Sequence, residues 1–320
     1  MTLTIEAGAE QLKAVRDAVA ARIVGQDAAI DDALTAFLAR GHLLIEGVPG
    51  TAKTLLVRTL ARVLGLKFTR IQFTPDLMPS DVTGVSMMRD PAKGFEFQPG
   101  PVFTEILLAD EINRAPAKTQ SSLLEAMGER QVTVDGVTRR LDPLHTVFAT
   151  QNPVEHEGTY PLPEAQLDRF LLKTLIRYPD HAAELEMLAQ HEAGFDPDKP
   201  AETLAPQVLE TEAARELRTL VDSVRVAPEV RAYIAAITRA TRDEQSLSLG
   251  ASPRASVALM RAARAAAVLE GRAFVTPDDV KERVPAALRH RVTLSPELEV
   301  EGRSPDDVLA AILLRIEAPR

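Results

Sequence analysis

The sequence Gly47-Val48-Pro49-Gly50-Thr51-Ala52-Lys53-Thr54 joins two segments of different character. The apolar run His42–Glu46 before it is typical of a buried strand, and Leu55–Leu64 after it has the periodicity of a helix. A strand, a loop of small residues and a helix in this order predict a phosphate-binding P-loop. The fold class expected around it is α/β, with a parallel sheet.

The residue types in this loop suit a polyanion. Backbone N–H groups of the loop and the N-terminus of the following helix point at phosphate oxygens. Lys53 is expected to supply a charge to the outer phosphates and Thr54 a hydroxyl to Mg²⁺. Ala52 stands where the general pattern has its second glycine; if the position needs a positive φ, alanine costs about 1–2 kcal/mol there. A glycine-rich turn with a capping threonine is the alternative interpretation.

Composition limits the remaining possibilities. A chain of 320 residues with 45% hydrophobic content exceeds the size of one typical core, so two domains are expected. The net charge of −9 argues against nucleic acid as the main partner. No cysteine is present, which excludes disulfides and thiolate metal sites. The start resembles no signal peptide and no run is long enough to span a bilayer, so we expect a cytoplasmic protein without membrane insertion.

A second stretch places acids at the end of a strand. Glu105–Ala109 reads as an apolar strand, and Asp110 and Glu111 follow it, where open α/β sheets bind ligands. We expect Asp110 to hold Mg²⁺ and Glu111 to polarise the attacking water, because alternation points the two carboxylates in different directions. Such endings are common, and only the P-loop upstream gives this one weight. Asn152, after the strand His145–Thr150, is expected to orient the same water.

Two hairpins and one arginine complete the N-terminal pattern. Strand-like pieces at Val82–Met88 and Gly94–Gln98, around a turn at residues 89–93, predict a hairpin within residues 74–101, although a surface loop fits as well. Residues 131–140 contain an Asp-Gly turn and predict a second hairpin. Arg169 precedes the strand Leu171–Ile176 and is a candidate arginine finger; a salt bridge to Asp168 or Glu164 is equally compatible with the sequence.

Together these motifs carry a resemblance. The motifs VGQ, GVPGTAKT, LLADEINRAP, ATQNP, LPEAQLDRF and GASPR occur in an order that resembles the AAA+ ATPases. The residues within these motifs are similar to those of the MoxR family. The resemblance implies an adenine pocket at residues 24–26, sensor 1 at Asn152, an arginine finger at Arg169 and sensor 2 at Arg254. Lys53 and Thr54 would belong to Walker A, and Asp110 and Glu111 to Walker B. The residues expected to bind ATP are Val24, Gly25, Gln26, Gly47, Val48, Pro49, Gly50, Thr51, Ala52, Lys53, Thr54 and Leu55.

The pattern of predicted helices and strands changes in the C-terminal part of the sequence. The segment 194–200 reads as a Pro-containing linker, and no convincing strand follows it. We therefore expect an AAA+ α/β domain over residues 1–195 and a helical lid over 196–320. The helices predicted in the lid are Pro206–Ser223, Pro228–Arg242, Arg254–Gly271, Pro277–Leu288 and Pro305–Ile316.

Three arginines share part of one face of the third lid helix. Arg261 and Arg264 are interpreted as a solvated stripe. Arg254, in the first turn, can be carried towards the nucleotide by domain closure.

The resulting expectation is an ATP hydrolase that uses Mg²⁺ and assembles as a homo-oligomeric, hexameric ring. By resemblance it remodels or activates a partner protein, as in chaperone-like action, metal-cofactor insertion or complex maturation, often with a von Willebrand factor A domain protein. Two alternatives stay open. A motor on nucleic acid would use basic hairpins, which the sequence supports weakly, and a magnesium chelatase-like subunit would share the inserts and require a porphyrin.

Overall fold

Helices and strands alternate in the N-terminal part of the protein. The computed structural model describes residues 3–90, 94–153 and 158–319. The first elements are α1 (Ile5–Ala20), α2 (Asp27–Leu38), β1 (Leu43–Gly47), α3 (Lys53–Val63), β2 (Phe68–Gln72), α4 (Pro79–Thr83), β3 (Gly84–Asp90), β4 (Gly94–Pro99) and β5 (Ile106–Asp110). They are followed by a 3-10 turn (Ile112–Arg114), α5 (Ala117–Glu129), β6 (Gln131–Val134), β7 (Val137–Arg140), β8 (Thr146–Gln151), α6 (Glu164–Leu167) and β9 (Leu172–Ile176).

Five of these strands form one parallel sheet in the order β2-β5-β8-β1-β9. Because all five run the same way, their carboxyl ends lie at one edge. The order places the end of β8 between the P-loop after β1 and the two acids at the end of β5. The parallel α/β fold expected from the sequence is confirmed, and its topology brings three distant segments together.

The sheet buries both faces, as parallel sheets usually do. Alternate residues of a strand belong to different cores: Leu107 packs on the side of α5, whereas Ile106 and Leu108 pack on the side of α1, α2 and α3. The period of two in side-chain direction accounts for this division. These strands therefore read as continuous apolar runs in the sequence.

The first insert differs in part from its prediction. Val82 and Thr83 belong to α4, and the strand expected from Val82 begins only at Gly84. Pro79 is suited to the first turn of that helix, and the Asp81 carboxylate accepts the N–H of Met78 at 2.8 Å, which stabilises a short helix. Residues 91–93 of the predicted turn lie outside the described residues.

The second insert folds as its Asp-Gly turn predicts. Asp135 and Gly136 have φ of 52° and 74°, the left-handed conformation of a tight two-residue turn between β6 and β7. The Arg139 guanidinium carbon lies 3.8 Å from the ring centroid of Phe97, so this hairpin packs on the first insert.

The C-terminal part is mainly helical. Its elements are α7 (His181–Glu192), α8 (Ala201–Leu204), α9 (Thr211–Ser223), α10 (Pro228–Asp243), β10 (Leu247–Leu249), α11 (Pro253–Leu269), α12 (Pro277–Leu288), β11 (Thr293–Leu294), α13 (Pro296–Val300) and α14 (Pro305–Arg315). No helix in the described ranges is long and apolar enough to cross a membrane.

Two expectations for this part were wrong. Helix α9 begins at Thr211 instead of Pro206, because the N–H groups of Val208 and Leu209 donate to the Val63 carbonyl and hold that segment against α3. A short antiparallel pair, β10 with β11, occurs where no strand was expected. Runs of two and three residues are too short to give a period-two signal.

Candidate functional site

A cavity of about 960 Å³ lies at the carboxyl edge of the sheet, beside the loop between β1 and α3. Strands β5 and β8 contribute their last residues to its wall, as the strand order requires. The predicted site residues that line it are Val24, Gln26, Pro49, Gly50, Thr51, Ala52, Lys53, Thr54, Leu55, Asp110, Glu111 and Asn152. Of the ATP-binding set, Gly25, Gly47 and Val48 lie next to this lining and are not part of it in the described ranges.

The loop is built on strained and crowded backbone. Ala52 has φ 61° and ψ 20°, the left-handed conformation that the general motif meets with glycine. Gly47 has no room for a side chain, because a Cβ there would lie 2.7 Å from the Ile176 carbonyl oxygen. The Thr51 hydroxyl closes the turn by donating to the Val48 carbonyl at 2.8 Å. Contacts within the loop and with β9 therefore fix its shape.

Lys53 projects back across the loop. Its ammonium donates to the carbonyls of Gly47 at 2.8 Å and Val48 at 2.7 Å. Burial lowers the pKa of Lys53, while the charges of Asp110 and Glu111 oppose that shift. A cation that is held at the start of a helix, among backbone groups of a loop, is placed to meet phosphate oxygens.

Asp110 is buried at the end of β5. Its Oδ1 accepts the Thr150 hydroxyl at 2.5 Å, and the same hydroxyl accepts the Glu111 N–H at 2.8 Å. Its Oδ2 lies 3.4 Å from the Thr54 hydroxyl. A carboxylate and a hydroxyl are oxygen donors of the kind that Mg²⁺ prefers, so the donor set at Thr54 and Asp110 fits this ion.

Glu111 leaves the strand in a left-handed conformation, with φ 55° and ψ 50°. Its Oε2 accepts from the Gln72 amide at 2.6 Å and from the Arg114 guanidinium at 3.1 Å. The side chains of the two adjacent carboxylates therefore have separate partners. Strand alternation is not the reason, because Glu111 lies just after β5 in a left-handed conformation. Both line the same cavity, which allows one to bind a metal ion and the other to act on water.

Residues that the sequence analysis missed form the other wall of the cavity. Helix α7 contributes Met187 and Leu188, which are 45% and 66% exposed, although large apolar side chains are usually buried. The supposed linker contributes Phe195 and Pro197, and the Arg58 guanidinium donates to the Pro197 carbonyl. The only feature of the sequence that could have indicated this wall is the pair of adjacent apolar residues, Met187 and Leu188, on α7.

Gly25 allows the break between α1 and α2 to approach α7 closely. It has φ 73°, and a Cβ there would lie 2.8 Å from that of Ala183 on α7. Gln26 donates its amide to the Arg177 carbonyl at 2.9 Å. The break between α1 and α2 is thus held against α7 by a residue that has to be glycine.

Two predicted arginines lie elsewhere. Arg169 is exposed and donates to the Leu124 carbonyl at 3.1 Å, on α5. In the described part of the chain Arg169 forms no salt bridge with Glu164, and none with Asp168, which pairs instead with Arg291 at 2.7 Å. Arg254 is exposed at the start of α11, where the Ser252 hydroxyl lies 3.5 Å from Asp168 Oδ2. Neither arginine belongs to the lining of this chain's own cavity in the described ranges.

Arg261 corrects a further expectation. Its guanidinium donates to the carbonyls of Ala39 and Arg40, at the end of α2, and it is not part of a solvated stripe. Burial lowers its pKa, and the charges of Arg130 and Arg40 add to this effect. The periodicity of α11 could not show that α2 ends beneath it.

A P-loop on β1, acids on β5 and a polar residue after β8 define a nucleotide-binding protein of the AAA+ class. Two family models agree: the ATPase family associated with various cellular activities (AAA) matches residues 42–172, and an AAA lid domain matches residues 239–312. The chain is 43% identical over 307 residues to the chaperone MoxR1 of Mycobacterium tuberculosis, covering 93% of this chain and 80% of that protein. This chain belongs to the MoxR family of AAA+ ATPases.

Two further relatives cover most of the chain. The uncharacterized protein YeaC of Bacillus subtilis is 50% identical over 286 residues, which are 89% of this chain and 88% of that protein. A crystal structure from Cytophaga hutchinsonii, of a protein assigned as an ATPase, has a TM-score of 0.88 at 41% identity and covers 98% of this chain and 96% of that one. The fold expected from the sequence, a P-loop α/β sheet with helices of a lid, is thus confirmed.

Proposed function

We propose that this protein binds ATP with Mg²⁺ and hydrolyses it to ADP and phosphate. The observation that carries this proposal is the convergence of Lys53, Thr54, Asp110, Glu111 and Asn152 on one cavity. These residues come from three strand ends that are distant in sequence. Their chemistry is that of phosphate binding, metal binding and water activation.

Each of these residues has a separate role in binding or hydrolysis. Lys53 and the N–H groups at the start of α3 bind the phosphates, and Thr54 and Asp110 would hold Mg²⁺, which neutralises charge on the phosphate oxygens. The Glu111 carboxylate accepts a proton from the attacking water, which Asn152 orients. Thr150 fixes both acids, since its hydroxyl donates to Asp110 and accepts the backbone N–H of Glu111.

We further propose that the protein works as a homo-oligomeric ring, hexameric as the family resemblance implies, in the cytoplasm. Arg169 supports this assembly, because it is exposed and does not line its own cavity, so it is available to a nucleotide bound by a neighbouring subunit. Arg254 would act on its own subunit's nucleotide as sensor 2, when the lid closes. The ring would remodel or activate a partner protein, with a von Willebrand factor A domain as the proposed partner class. Exposed Met88 and Phe95 on the first hairpin, 52% and 71% exposed, suit contact with protein.

Separating binding from chemistry tests the proposed activity. Lys53→Ala should weaken the binding of a fluorescent ATP analogue. Glu111→Gln should retain binding and lower turnover by about 10²–10⁴, the usual contribution of a positioned general base. Glu125→Gln, an exposed acid on α5, is the matched control and should keep the wild-type rate. Wild-type turnover in Glu111→Gln would remove Glu111 from the mechanism.

A further inference from the structure

Four arginines meet at the amino edge of the parallel sheet. Arg40 follows α2 and Arg130 follows α5, while Arg218 lies on α9 and Arg261 lies on α11. Arg218 donates to the hydroxyl of Thr146, the first residue of β8, which places the group at the opposite edge of the sheet from the cavity. We call these four residues the arginine cluster. The function proposed above gives the cluster no role.

Backbone carbonyls at the end of α2 hold three of the guanidinium groups. Arg218 donates to the Phe37 carbonyl at 2.8 Å. Arg130 donates to the Arg40 carbonyl at 2.6 Å, and Arg261 donates to the same carbonyl at 3.1 Å. A carbonyl is a neutral acceptor, so it fixes the position of a guanidinium group without cancelling its charge.

The negative charge around the cluster is smaller than its positive charge. In the described ranges one ion pair involves the cluster, between Arg40 Nη2 and Asp222 Oδ2 at 2.6 Å. The C-terminus of α2 contributes the equivalent of about half a negative charge. Burial lowers the pKa of Arg218 to about 9. The charges of Arg130 and Arg40 act in the same direction, while that of Asp142 opposes it. Positive charge therefore remains in excess, although buried charges in proteins are usually paired.

Part of this positive charge is open to solvent. The Arg40 side chain is 38% exposed, and Arg130 and Arg261 are partly buried. Arg130 and Arg261 each use one nitrogen for carbonyls at the end of α2 and make no other hydrogen bond in the described part of the chain. A guanidinium group has five N–H donors, in a fork that matches the two oxygens of a carboxylate. The cluster is therefore arranged to receive carboxylates from outside the chain.

We propose that the arginine cluster binds an acidic segment of a partner protein through Asp or Glu carboxylates. Nucleic acid fits this site less well, because the net charge of −9 would repel a long polyanion that extends beyond the cluster. A bound segment would contact helices from both the N-terminal and the C-terminal parts of the protein. The site does not depend on the proposed ATPase activity, because it lies outside the cavity.

The test is the affinity of a fluorescein-labelled hexaglutamate peptide, measured by anisotropy at low ionic strength, where exposed charges are least screened. Arg40→Gln and Arg130→Gln should each weaken binding about twofold to fivefold, the usual contribution of an exposed ion pair. Asp222→Asn removes the carboxylate that pairs with Arg40, so it should strengthen binding by a similar factor. Arg303→Gln, which removes an exposed arginine before α14, is the matched control and should bind like the wild type.

The gain expected from Asp222→Asn cannot come from loss of the fold. If an arginine variant melts at a lower temperature than the wild type, the comparison of Asp222→Asn with the wild type therefore decides. Unchanged or weaker binding by Asp222→Asn, wild-type affinity in folded arginine variants, or no binding by the wild type would overturn the inference.

Two competitors identify other occupants. Displacement of the peptide by ADP with Mg²⁺ would place the peptide in the cavity and overturn the inference. A single-stranded oligonucleotide with the same number of charges should bind more weakly than the peptide. If it binds more tightly, and loses affinity in the same arginine variants, the cluster is a nucleic-acid site and the acidic protein segment is the wrong partner.

Discussion

At the scale of single residues, the P-loop shows how strain and shape are balanced. Ala52 adopts a left-handed conformation that costs an alanine about 1–2 kcal/mol relative to a helical one. Glycine reaches the same φ without steric cost, so Ala52→Gly should preserve the loop. We expect nucleotide affinity to change by less than about tenfold, or about 1.4 kcal/mol, in a binding titration.

The control for this variant is Gly47→Ala. Its new Cβ would meet the Ile176 carbonyl oxygen at 2.7 Å and the Ile176 Cβ at 3.2 Å, so the loop has to shift away from β9. Binding should fall much more in this variant than in Ala52→Gly. A loss of more than tenfold in Ala52→Gly would show that the methyl group of Ala52 itself contributes to the site.

At the scale of helices and strands, a buried ion pair joins the end of α12 to the loop before β9. The Arg291 side chain is 4% exposed and pairs with Asp168 at 2.7 Å, and its other nitrogens donate to the Leu171 and Phe170 carbonyls. Asp168→Ala leaves a buried guanidinium without its counter-charge, which typically costs about 3–5 kcal/mol. Urea unfolding followed by circular dichroism should show a loss of that order.

The matched control lies at the other end of α12. Asp278 forms an exposed pair with Lys281 at 3.6 Å, and such pairs contribute about 0–1 kcal/mol. Asp278→Ala should therefore unfold close to the wild-type midpoint. If the free energy of unfolding falls equally little in both variants, the Asp168–Arg291 pair does not join the two elements in the way described.

The same scale shows what the sequence could and could not predict. The P-loop, the acids after β5 and the Asp-Gly hairpin were predictable because each depends on residues adjacent in the chain. The partners of the acids were not predictable. Arg70 meets Asp110 only because β2 pairs with β5, and Phe195 lines the cavity only because α7 returns over the P-loop. Arg261 likewise contacts α2 through the packing of α11, which periodicity cannot reveal.

At the scale of the whole molecule, buried histidines link stability to pH. His145 lies against the opposite edge of the sheet from the cavity, 6.1 Å from the His42 ring, and donates Nδ1–H to the Thr104 carbonyl at 2.8 Å. Burial lowers its pKa to about 4, and the charges of Arg130 and Arg218 act in the same direction, while Asp142 opposes it. Its Nε2 is buried without a hydrogen-bond partner in the described ranges, so a second proton there would have no acceptor.

The sign follows from comparing proton uptake in the two states. Between pH 6.5 and about 4 the unfolded chain binds a proton at this histidine and the folded chain does not, so stability is complete above pH 6.5 and falls as the pH decreases. The contribution is about 3 kcal/mol over that window. His145→Asn keeps the donor to Thr104 and removes the titration, so its unfolding free energy should depend less steeply on pH. Equal slopes in urea unfolding at several pH values would contradict this assignment.

The proposed assembly into a ring cannot be seen in a single chain, and substitution of Arg169 tests it. Arg169 is exposed on the side of α5, away from its own cavity, so we expect it to act on a nucleotide bound by the neighbouring subunit. An arginine finger contributes about 10³–10⁵ to the rate, so Arg169→Ala should lose turnover while isolated subunits still bind ATP. Mixing Arg169→Ala with Glu111→Gln should restore some activity, because some interfaces then pair an intact Arg169 with an intact Glu111. The recovered rate should rise with protein concentration, since the ring has to assemble first.

The opposite result would be mixtures that stay inactive although mixed rings are shown to form, together with an Arg169→Ala chain that unfolds more easily. In that case Arg169 has the structural role given by its hydrogen bond to the Leu124 carbonyl, and it is not the arginine finger.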